Sequence, residues 1–345
     1  MLICRNCGRD ATTHVSSWKR KSGKVDYRCV CGSKLKPIEE IRYNEINQDI
    51  IQDTIRVSEI SGGKILDTFP SYRNQDSTLS TLRQPKSILF IGDLHCGAKS
   101  GLTPPEYWVN PYDKKWRSIQ EESWNFYSDV VNEIGYVDAV VVNGDSIDGK
   151  GTKSGGTELI TTDLFEQVKI ATRCLEEIDS NNYYFTYGTG YHISNNGDDF
   201  EVCLADNFDA VIKNHLWLDI NDCIFDIKHK IGGSSVLSSR VSNLIKEFQW
   251  NREWVNINGA PKSDVFIRSH VHYHMSVKDP NSFLGMTLPA LQAPNTKFGA
   301  RECTGTVHFG CVLFEVPEDF NDVDDLRFTV YKKHLESVKS RSIKL

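Results

Sequence analysis

Five segments of the chain constrain its fold most, because each places an Asp or a His at or shortly after the end of a short strand-like run. They are Gly92-Asp93-Leu94-His95, Gly144-Asp145, the stretch from Gly188 to His192, His229 after Phe225-Asp226-Ile227-Lys228, and Ser269-His270-Val271-His272. Open α/β sheets place their functional residues just beyond the carboxyl ends of the strands. The five segments therefore predict an α/β domain whose metal-type side chains meet at one edge of its sheets.

The elements predicted around these segments alternate between strand and helix over the middle of the chain, which is the rhythm of α/β proteins. Strands are predicted at 87–91, 139–142 and 183–187, and helices at 116–134 and 162–178. Beyond residue 224 we expect strands to dominate, at 224–229, 264–269, 285–291 and 307–316. A two-layered sheet with flanking helices accommodates both halves.

Near the N-terminus, two close pairs of cysteines frame a polar stretch: Cys4, Cys7, Cys29 and Cys31. Four thiolates from two turns can close a tetrahedral shell around zinc. The first pair has the usual C-x2-C spacing, and the second, C-x-C, is one residue tighter. Because residues 1–36 are too few to bury a sufficient core, a bound zinc would supply their stability. We predict a structural zinc ribbon there, with four reduced cysteines as the alternative.

The same N-terminal region is basic. Residues 1–36 hold nine Lys or Arg against two Asp or Glu, whereas the whole chain has a net charge of -6, so the rest of the chain is acidic. Cations and aromatic rings alternate between the cysteine pairs: Trp18, Lys19, Arg20, Lys21, Lys24, Tyr27 and Arg28. Such a mixture suits the phosphates and bases of a nucleic acid. It predicts nucleic-acid contact, with a protein-docking module or a solvated surface as the alternatives.

Composition places the chain among ordinary globular proteins, with 39% hydrophobic and 25% charged residues. No apolar run approaches the roughly 20 residues that span a bilayer. The sequence begins Met1-Leu2-Ile3-Cys4-Arg5, without the basic segment and apolar region of a secretory signal. We therefore expect a cytoplasmic protein without a membrane partner.

Taken in order, the five segments resemble the D-x-H, GD, GNH, H and GH-x-H blocks of the calcineurin-like metallophosphoesterases. The resemblance covers residues 86 to 316. It implies a four-layer α/β/β/α fold and a hydrolase that acts on phosphoric ester bonds. It also implies one metal held by Asp93, His95, Asp145 and His272. The second metal would take Asp145 as a bridge, together with His229 and His270.

The third block departs from the family pattern, because the sequence Gly188-Thr189-Gly190-Tyr191-His192 has no Asn. In the family that Asn supplies an amide oxygen to the second metal, and the following His assists the leaving group. The resemblance implies that catalytic role for His192. Thr189 is a candidate to ligate the metal or position water, and alternatively His192 itself moves onto the metal.

The chemistry expected of such a site follows from charge. Phosphodiesters repel hydroxide, and two cations about 4 Å apart both lower the pKa of a bridging water and clamp the nonbridging oxygens during in-line attack. Asp145 is the candidate bridge, since one carboxylate offers an oxygen to each cation. Mixed His and carboxylate ligation suits Mn, Fe or Zn without choosing among them.

We therefore predict a dinuclear phosphodiesterase or nuclease that attacks with a metal-bridging hydroxide. Two alternatives remain open: a phosphomonoesterase with the same metals, and a non-catalytic zinc-ribbon protein that binds nucleic acid or serves as a scaffold. The ribbon and the altered third block look similar to enzymes encoded by bacteriophages, which would place the protein in the host cytoplasm. The predicted organisation is a zinc ribbon at 1–36, a helical segment and linker at 37–85, a metallophosphoesterase domain at 86–335 and a tail at 336–345.

Overall fold

The structure is a computed structural model, and it describes residues 84–151, 154–190, 192, 199–279, 283–294 and 307–335, together with the backbone of four short strands nearer the N-terminus. The side chains predicted to hold the structural zinc or to contact nucleic acid lie outside the described residues, as does the tail at 336–345. Among the described helices, none is both long enough and apolar enough to cross a membrane.

The four N-terminal strands are short. Strands β1 (Val15–Lys19), β2 (Val25–Cys29) and β3 (Lys34–Leu35) pair antiparallel, in the order β1-β2-β3. Strand β4 (Lys64–Ile65) pairs antiparallel with Leu218 and Asp219, and so lies at the edge of a larger sheet. The zinc ribbon and the domain boundaries therefore stay predictions.

The first large sheet contains the first three strand-end segments. Its strands are β5 (Lys86–Ile91), β6 (Ala139–Asn143), β7 (Tyr183–Thr186), β8 (Val211–Lys213), β14 (Phe309–Val316) and β15 (Arg327–Lys333). The spatial order is β15-β14-β5-β6-β7-β8. Strands β5 to β8 run parallel, whereas β14 is antiparallel to both of its neighbours. The carboxyl ends of β5, β6 and β7 consequently lie at one edge.

The second large sheet contains the remaining two segments. Its strands are β9 (Leu216–Ile220), β10 (Cys223–Ile227), β11 (Val265–Arg268), β12 (Met275–Asp279) and β13 (Phe283–Thr287). The spatial order is β12-β13-β11-β10-β9-β4. Strands β10, β11 and β13 run parallel, and β9 and β12 are antiparallel to their neighbours. Both sheets are therefore mixed.

Alternation along the strands explains why the two sheets stack. In β5, Ile88 and Phe90 belong to the apolar core shared with the second sheet, where the Phe90 ring stacks on Phe225 at 5.5 Å. Leu89 and Ile91 point the other way, into a core shared with helices. A strand buried on both faces reads as a continuous apolar run, as 88–91 does.

Helices cover both outer faces. Helices α1 (Lys114–Ile134), α2 (Leu164–Leu175) and α3 (Glu201–Asp206) share the core of the first sheet's outer face. Helix α4 (Leu237–Asn256) packs against β11, β12 and β13, where Phe248 stacks on Phe283 at 4.2 Å. The order helix, sheet, sheet, helix confirms the predicted α/β sandwich with flanking helices.

Strands dominate from residue 223 onward as expected, since β10 to β15 all lie there, but helix α4 among them was not predicted. Its 20 residues bury only Arg240, Leu244 and Asn251. Two of those three side chains are polar, so the helix lacks the apolar stripe by which an amphipathic helix is recognised. Strands β12 and β15 were not predicted either, because half of their residues or more are charged or polar.

Candidate metal centre

The five predicted segments follow the carboxyl ends of β5, β6, β7, β10 and β11, and the stacked sheets bring them together. The predicted side chains form groups whose ligand atoms lie within 4.8 Å of one another. One group is Asp93, His95 and His272, and another is Asp145, His229 and His270. A third joins His95 and His192 to Asp148. The six predicted ligands and His192 thus share one site.

In the first group, Asp93 is the central carboxylate. Its Oδ1 lies 3.2 Å from His272 Nε2 and 4.0 Å from His95 Nε2. Asp93 Oδ1 and His95 Nε2 are both buried, and neither has a hydrogen-bond partner among the described residues. A buried polar atom without a partner is costly. Because carboxylate oxygen and imidazole nitrogen are ligands for divalent transition metals, the two orphaned atoms fit a bound cation.

In the second group, Asp145 is the central carboxylate. Its Oδ2 lies 3.0 Å from His229 Nε2 and 4.0 Å from His270 Nδ1. His229 Nε2 is also 3.9 Å from Asp93 Oδ1, which links the two groups. The site therefore offers two adjacent sets of ligands, as a pair of cations requires.

The backbone at these ligands is unusual. Positive φ angles occur at five of them: Asp93 (50°), His95 (47°), Asp145 (50°), His270 (72°) and His272 (54°). A left-handed residue other than Gly costs on the order of 1 kcal/mol and persists where its surroundings hold it. Here Asp93 N donates to Gly144 O at 3.0 Å, and His95 N donates to Asp145 O at 2.9 Å. The loop after β5 and the loop after β6 thus hold each other in the strained conformation.

The altered third block contacts the second group directly. Thr189 N donates to Asp145 Oδ1 at 2.6 Å, and Thr189 Oγ1 donates to the same atom at 3.1 Å. Gly188 makes this approach possible, because a Cβ there would lie 2.2 Å from Asp145 Oδ1. Where the family has an Asn, this chain uses a main-chain amide and a hydroxyl to orient the Asp145 carboxylate.

His192 lies at the margin of the site. Its Nδ1 donates to Asp148 O at 2.7 Å, so its Nε2 is the atom turned towards Asp145, 3.6 Å from Oδ2. Burial alone would lower the pKa of His192, but the charges of Asp145 and Asp148 raise it. This environment favours the protonated imidazole.

Charge coupling between Asp145 and His229 dominates the electrostatics. Burial alone would raise the pKa of Asp145, yet the hydrogen bond and charge of His229 hold it well below its usual value of 3.8. Burial likewise works against the imidazolium of His229, but Asp145 and Asp93 raise its pKa to about 10. In the absence of a metal, a proton on His229 compensates the carboxylates. A cation bound here must displace that proton, since imidazole ligates metals in its neutral form.

His95 behaves in the opposite way. Burial lowers its pKa despite a 3.0 Å contact between His95 Nδ1 and Asp148 Oδ1. A neutral His95 that donates its Nδ1 proton to Asp148 leaves Nε2 free as an acceptor beside Asp93. Carboxylates commonly orient metal-binding imidazoles in this way.

Asp148 and Glu201 are site residues that sequence reasoning missed. Asp148 follows the second block closely, but a loop Asp most commonly caps a turn, so its position in the sequence gives no sign of its contact with His95. Glu201 is buried in the first turn of α3, where its carboxylate accepts from Ser146 N at 2.6 Å and from Gly188 N at 2.7 Å. Glu201 thus connects the loop after β6, which contains Ser146, to the loop after β7, which contains Gly188. No sequence signal marks it, because it lies outside every block.

Asn143, the last residue of β6, is a third missed residue. Its carbonyl accepts from His229 Nδ1 at 2.7 Å, which turns His229 Nε2 towards Asp145. Its side chain donates to Ser269 Oγ at 2.8 Å and accepts from Thr186 Oγ1 at 2.6 Å. Asn143 therefore fixes the orientation of a candidate ligand and joins strand ends of both sheets.

Comparison with known proteins gives only remote relatives. No protein-family model and no curated protein matches the chain. Among solved structures, the chain is similar to an archaeal phosphodiesterase, with 15% identity, a TM-score of 0.35 and coverage of 71% of this chain and 99% of that one. It is also similar to Zn-complexed Vps29 from Entamoeba histolytica, with 11% identity, a TM-score of 0.36 and coverage of 71% and 99%. A predicted phosphoesterase from Streptococcus pneumoniae has 12% identity, a TM-score of 0.29 and coverage of 73% and 99%.

Proposed function

We propose that the protein is a metal-dependent phosphodiesterase that acts on nucleic acid. The observation that carries the proposal is Asp93 Oδ1, a buried carboxylate oxygen without a hydrogen-bond partner among the described residues, which lies between the two His and Asp groups. A buried carboxylate oxygen that lies 3.2 to 4.0 Å from the Nε2 atoms of His272, His229 and His95 is what a cation site requires.

Two divalent cations, Mn, Fe or Zn, would supply an activated water and neutralise charge on the phosphate oxygens. Asp93, His95 and His272 would hold one of them, and His229 and His270 the other. Asp145 would serve both. The Thr189 amide and hydroxyl keep the Asp145 carboxylate in place, and Asn143 and Asp148 keep His229 and His95 in the tautomers that present Nε2.

His192 is the proposed proton donor to the leaving group. Its Nδ1 is committed to Asp148 O, and its Nε2 is turned towards the site. The carboxylates around it raise its pKa, so the imidazolium is available to protonate an oxygen as the ester bond breaks. The ring also makes an edge-to-face contact with His95, with the ring centroids 4.7 Å apart.

A substrate panel tests the proposal. We expect protein stripped of metal with EDTA and reloaded with Mn to hydrolyse bis(p-nitrophenyl) phosphate and oligonucleotides faster than p-nitrophenyl phosphate. Removing the metal, or the Asp145→Ala substitution, should abolish turnover while the circular dichroism spectrum persists. A preference for the monoester would instead establish a phosphomonoesterase. Turnover retained in Asp145→Ala would contradict the assignment of the site.

For the basic N-terminal region we propose a recruiting role towards nucleic acid, supported by its excess of Lys and Arg. Deleting residues 1–36 should weaken oligonucleotide binding and leave hydrolysis of bis(p-nitrophenyl) phosphate in place. Loss of both activities would contradict an accessory role. Zinc analysis of the wild type and of the deletion variant would show whether that region also holds a metal of its own.

A further inference from the structure

A glycine-rich loop borders the candidate metal centre between His229 and helix α4. It comprises residues 231–236, with the sequence Ile-Gly-Gly-Ser-Ser-Val. Gly233 lies beside Val271, because a Cβ at Gly233 would be 3.7 Å from Val271 Cγ1. Val271 separates the candidate ligands His270 and His272. The loop therefore begins two residues after one candidate ligand and passes beside the residue that separates two others.

The loop leads into an open helix N-terminus. The residue before α4, Val236, makes no side-chain cap, and the first turn contains no acidic residue. Leu237 and Ser238 are exposed. The first amides of an α-helix have no partner within the helix and attract anions. This property is shared by many helices, so it does not by itself identify a site.

Arg240 provides the independent observation. It lies in the first turn of α4 and is only 7% exposed. Its Nε donates to Ser234 O at 2.9 Å, and its Cζ lies 4.0 Å from the centre of the Tyr273 ring. Tyr273 follows the candidate ligand His272 directly. The guanidinium is thus fixed between the glycine-rich loop and the loop that carries His270 and His272.

Within the described residues, the other two nitrogens of Arg240 have no hydrogen-bond partner. Over the part of the chain that the structure describes, no carboxylate lies within ion-pair distance of Arg240, and neither Nη atom has an acceptor. Neither Nη atom is fully buried, so each keeps some contact with solvent. Arginines this deeply buried are ordinarily paired, as Arg268 is with Asp226 and Glu247. Arg240 is instead left with a free, planar pair of donors, which matches a phosphate.

We propose that Arg240 and the loop at 231–236 bind a second phosphate of the substrate, next to the phosphate at the metal centre. The proposal rests on the proposed diesterase function and sharpens it. A monoester or an aryl diester has a single phosphate and cannot occupy both places. A polynucleotide strand meets this requirement, because every internal scissile phosphate has a phosphate neighbour, and it agrees with the proposed function.

The first experiment compares Arg240→Gln with the wild type on two substrates, a short oligothymidylate and bis(p-nitrophenyl) phosphate. Loss of a charge-assisted bidentate contact should raise KM for the oligothymidylate about tenfold more than KM for the aryl diester. The matched control is Arg252→Gln, because Arg252 also stacks on an aromatic ring of α4, at 4.6 Å from Phe248, and is exposed. It should change neither value. Equal rises in KM for both substrates in Arg240→Gln would overturn the proposal.

The second experiment measures binding without hydrolysis. Fluorescence anisotropy of a fluorescein-labelled oligothymidylate in EDTA gives the affinity as a function of salt concentration. Removing one phosphate contact should reduce the slope of log affinity against log salt by about 0.7. A merely structural role for Arg240 would leave this slope unchanged, and an unchanged slope would overturn the proposal. If the wild type hydrolyses no diester with any metal, the proposed function fails, and the anisotropy still decides the phosphate site.

The third experiment does not require a change to the buried Arg240. Gly233 is exposed, and its nearest contact leaves room for a side chain. Gly233→Asp adds a negative charge to the loop, whereas Gly233→Asn has the same shape without the charge. We expect the Asp variant to bind the oligothymidylate about fivefold more weakly than the Asn variant, a difference that should shrink in high salt. Equal affinities would contradict a phosphate site here.

Discussion

Two buried clusters of carboxylates and imidazoles both take residues from strands β10 and β11 or from the loops that follow them, and they differ in whether their hydrogen bonds are complete. The Arg268 cluster comprises His215, Asp226, Glu247 and Arg268. In it, Arg268 Nη2 lies 2.7 Å from both Asp226 Oδ1 and Glu247 Oε2. His215 Nε2 lies 2.8 Å from Asp226 Oδ1, and Trp217 Nε1 donates to Asp226 Oδ2 at 3.1 Å. Both oxygens of Asp226 are therefore paired within the protein.

The candidate metal centre is built from similar residue types with the opposite result. Among the described residues, Asp93, Asp145 and Asp148 form ion pairs only with histidines, and Asp93 Oδ1 has no hydrogen-bond partner. Asp226 and Arg268 lie within strands, whereas His229 and His270 lie just beyond them. A regular strand allows complete pairing, while the left-handed loops past its end leave atoms bare. Completeness of pairing, rather than composition, distinguishes a structural cluster from a site that receives cations.

The sharpest test of this comparison is the same substitution in each cluster, starting with Asp93→Asn. Asp93 and Asp226 are both fully buried, so the two variants are matched. Loss of a ligand carboxylate should cost several kcal/mol of transition-state stabilisation, which is about a thousandfold in diester hydrolysis. Addition of Mn should raise the melting temperature of the wild type and not that of Asp93→Asn. If Mn raised the melting temperature of Asp93→Asn as much as that of the wild type, the role of Asp93 as a ligand would be contradicted.

The reciprocal variant is Asp226→Asn, which should lose stability and keep function. The substitution breaks a buried ion pair and leaves Arg268 with Glu247 as its remaining carboxylate partner. This should lower the free energy of unfolding by about 3 kcal/mol. Urea unfolding in EDTA measures this loss directly. The rate of hydrolysis per folded molecule and the Mn-induced rise in melting temperature should match the wild type. A loss of Mn binding in this variant would show that the two clusters are not independent.

Glu201 should occupy an intermediate position, since it touches the site without being a candidate ligand. A Gln side chain has only one acceptor oxygen. It can therefore accept from Ser146 N or from Gly188 N but not from both, and its NH2 group would face the other donor. The loops after β6 and β7 should then separate slightly, and calorimetric Mn affinity should fall about tenfold, as for other residues that position ligands. Glu166→Gln is the control, because Glu166 also lies in the first turn of a helix but pairs only with Lys169. Equal Mn affinities in the two variants would show that Glu201 only packs against the site and does not position its ligands.

The segments that carry the candidate ligands could be singled out in the sequence because each couples two signals. An apolar run marks a strand, as at 88–91 and 139–142, and the Asp or His after it marks the strand end. Asp93 and His272 are distant in the sequence. The parallel strands of the two stacked sheets bring these residues together, so the sequence does not need to encode a direct contact between them. The alternation of strands and helices over residues 86–187 follows from the same periodicity.

The residues that support the ligands were not predictable, for a physical reason. Asp148 and Glu201 act on main-chain atoms and ring nitrogens of other loops, and those partners become neighbours only after folding. Helix α4 was missed because its buried face is partly polar, and Arg240 is buried there through a ring and a carbonyl rather than through apolar contacts. The candidate ligands lie near strand ends, whereas the residues that support them contact segments that are distant in the sequence.

The smallest effect expected concerns the acid sensitivity of the Arg268 cluster. Burial alone would raise the pKa of Asp226, but Arg268 and His215 hold it below the usual value of 3.8. Because the folded-state pKa is depressed, the stability that Asp226 contributes is fully present above pH 3.8 and is lost as the pH falls through the folded pKa. The difference in unfolding free energy between the wild type and Asp226→Asn should therefore stay constant from neutral pH down to about pH 5 and narrow by about 1 kcal/mol towards pH 3. Urea unfolding in EDTA at these pH values measures it, and a difference that widens in acid would show that Asp226 is not stabilised as the anion.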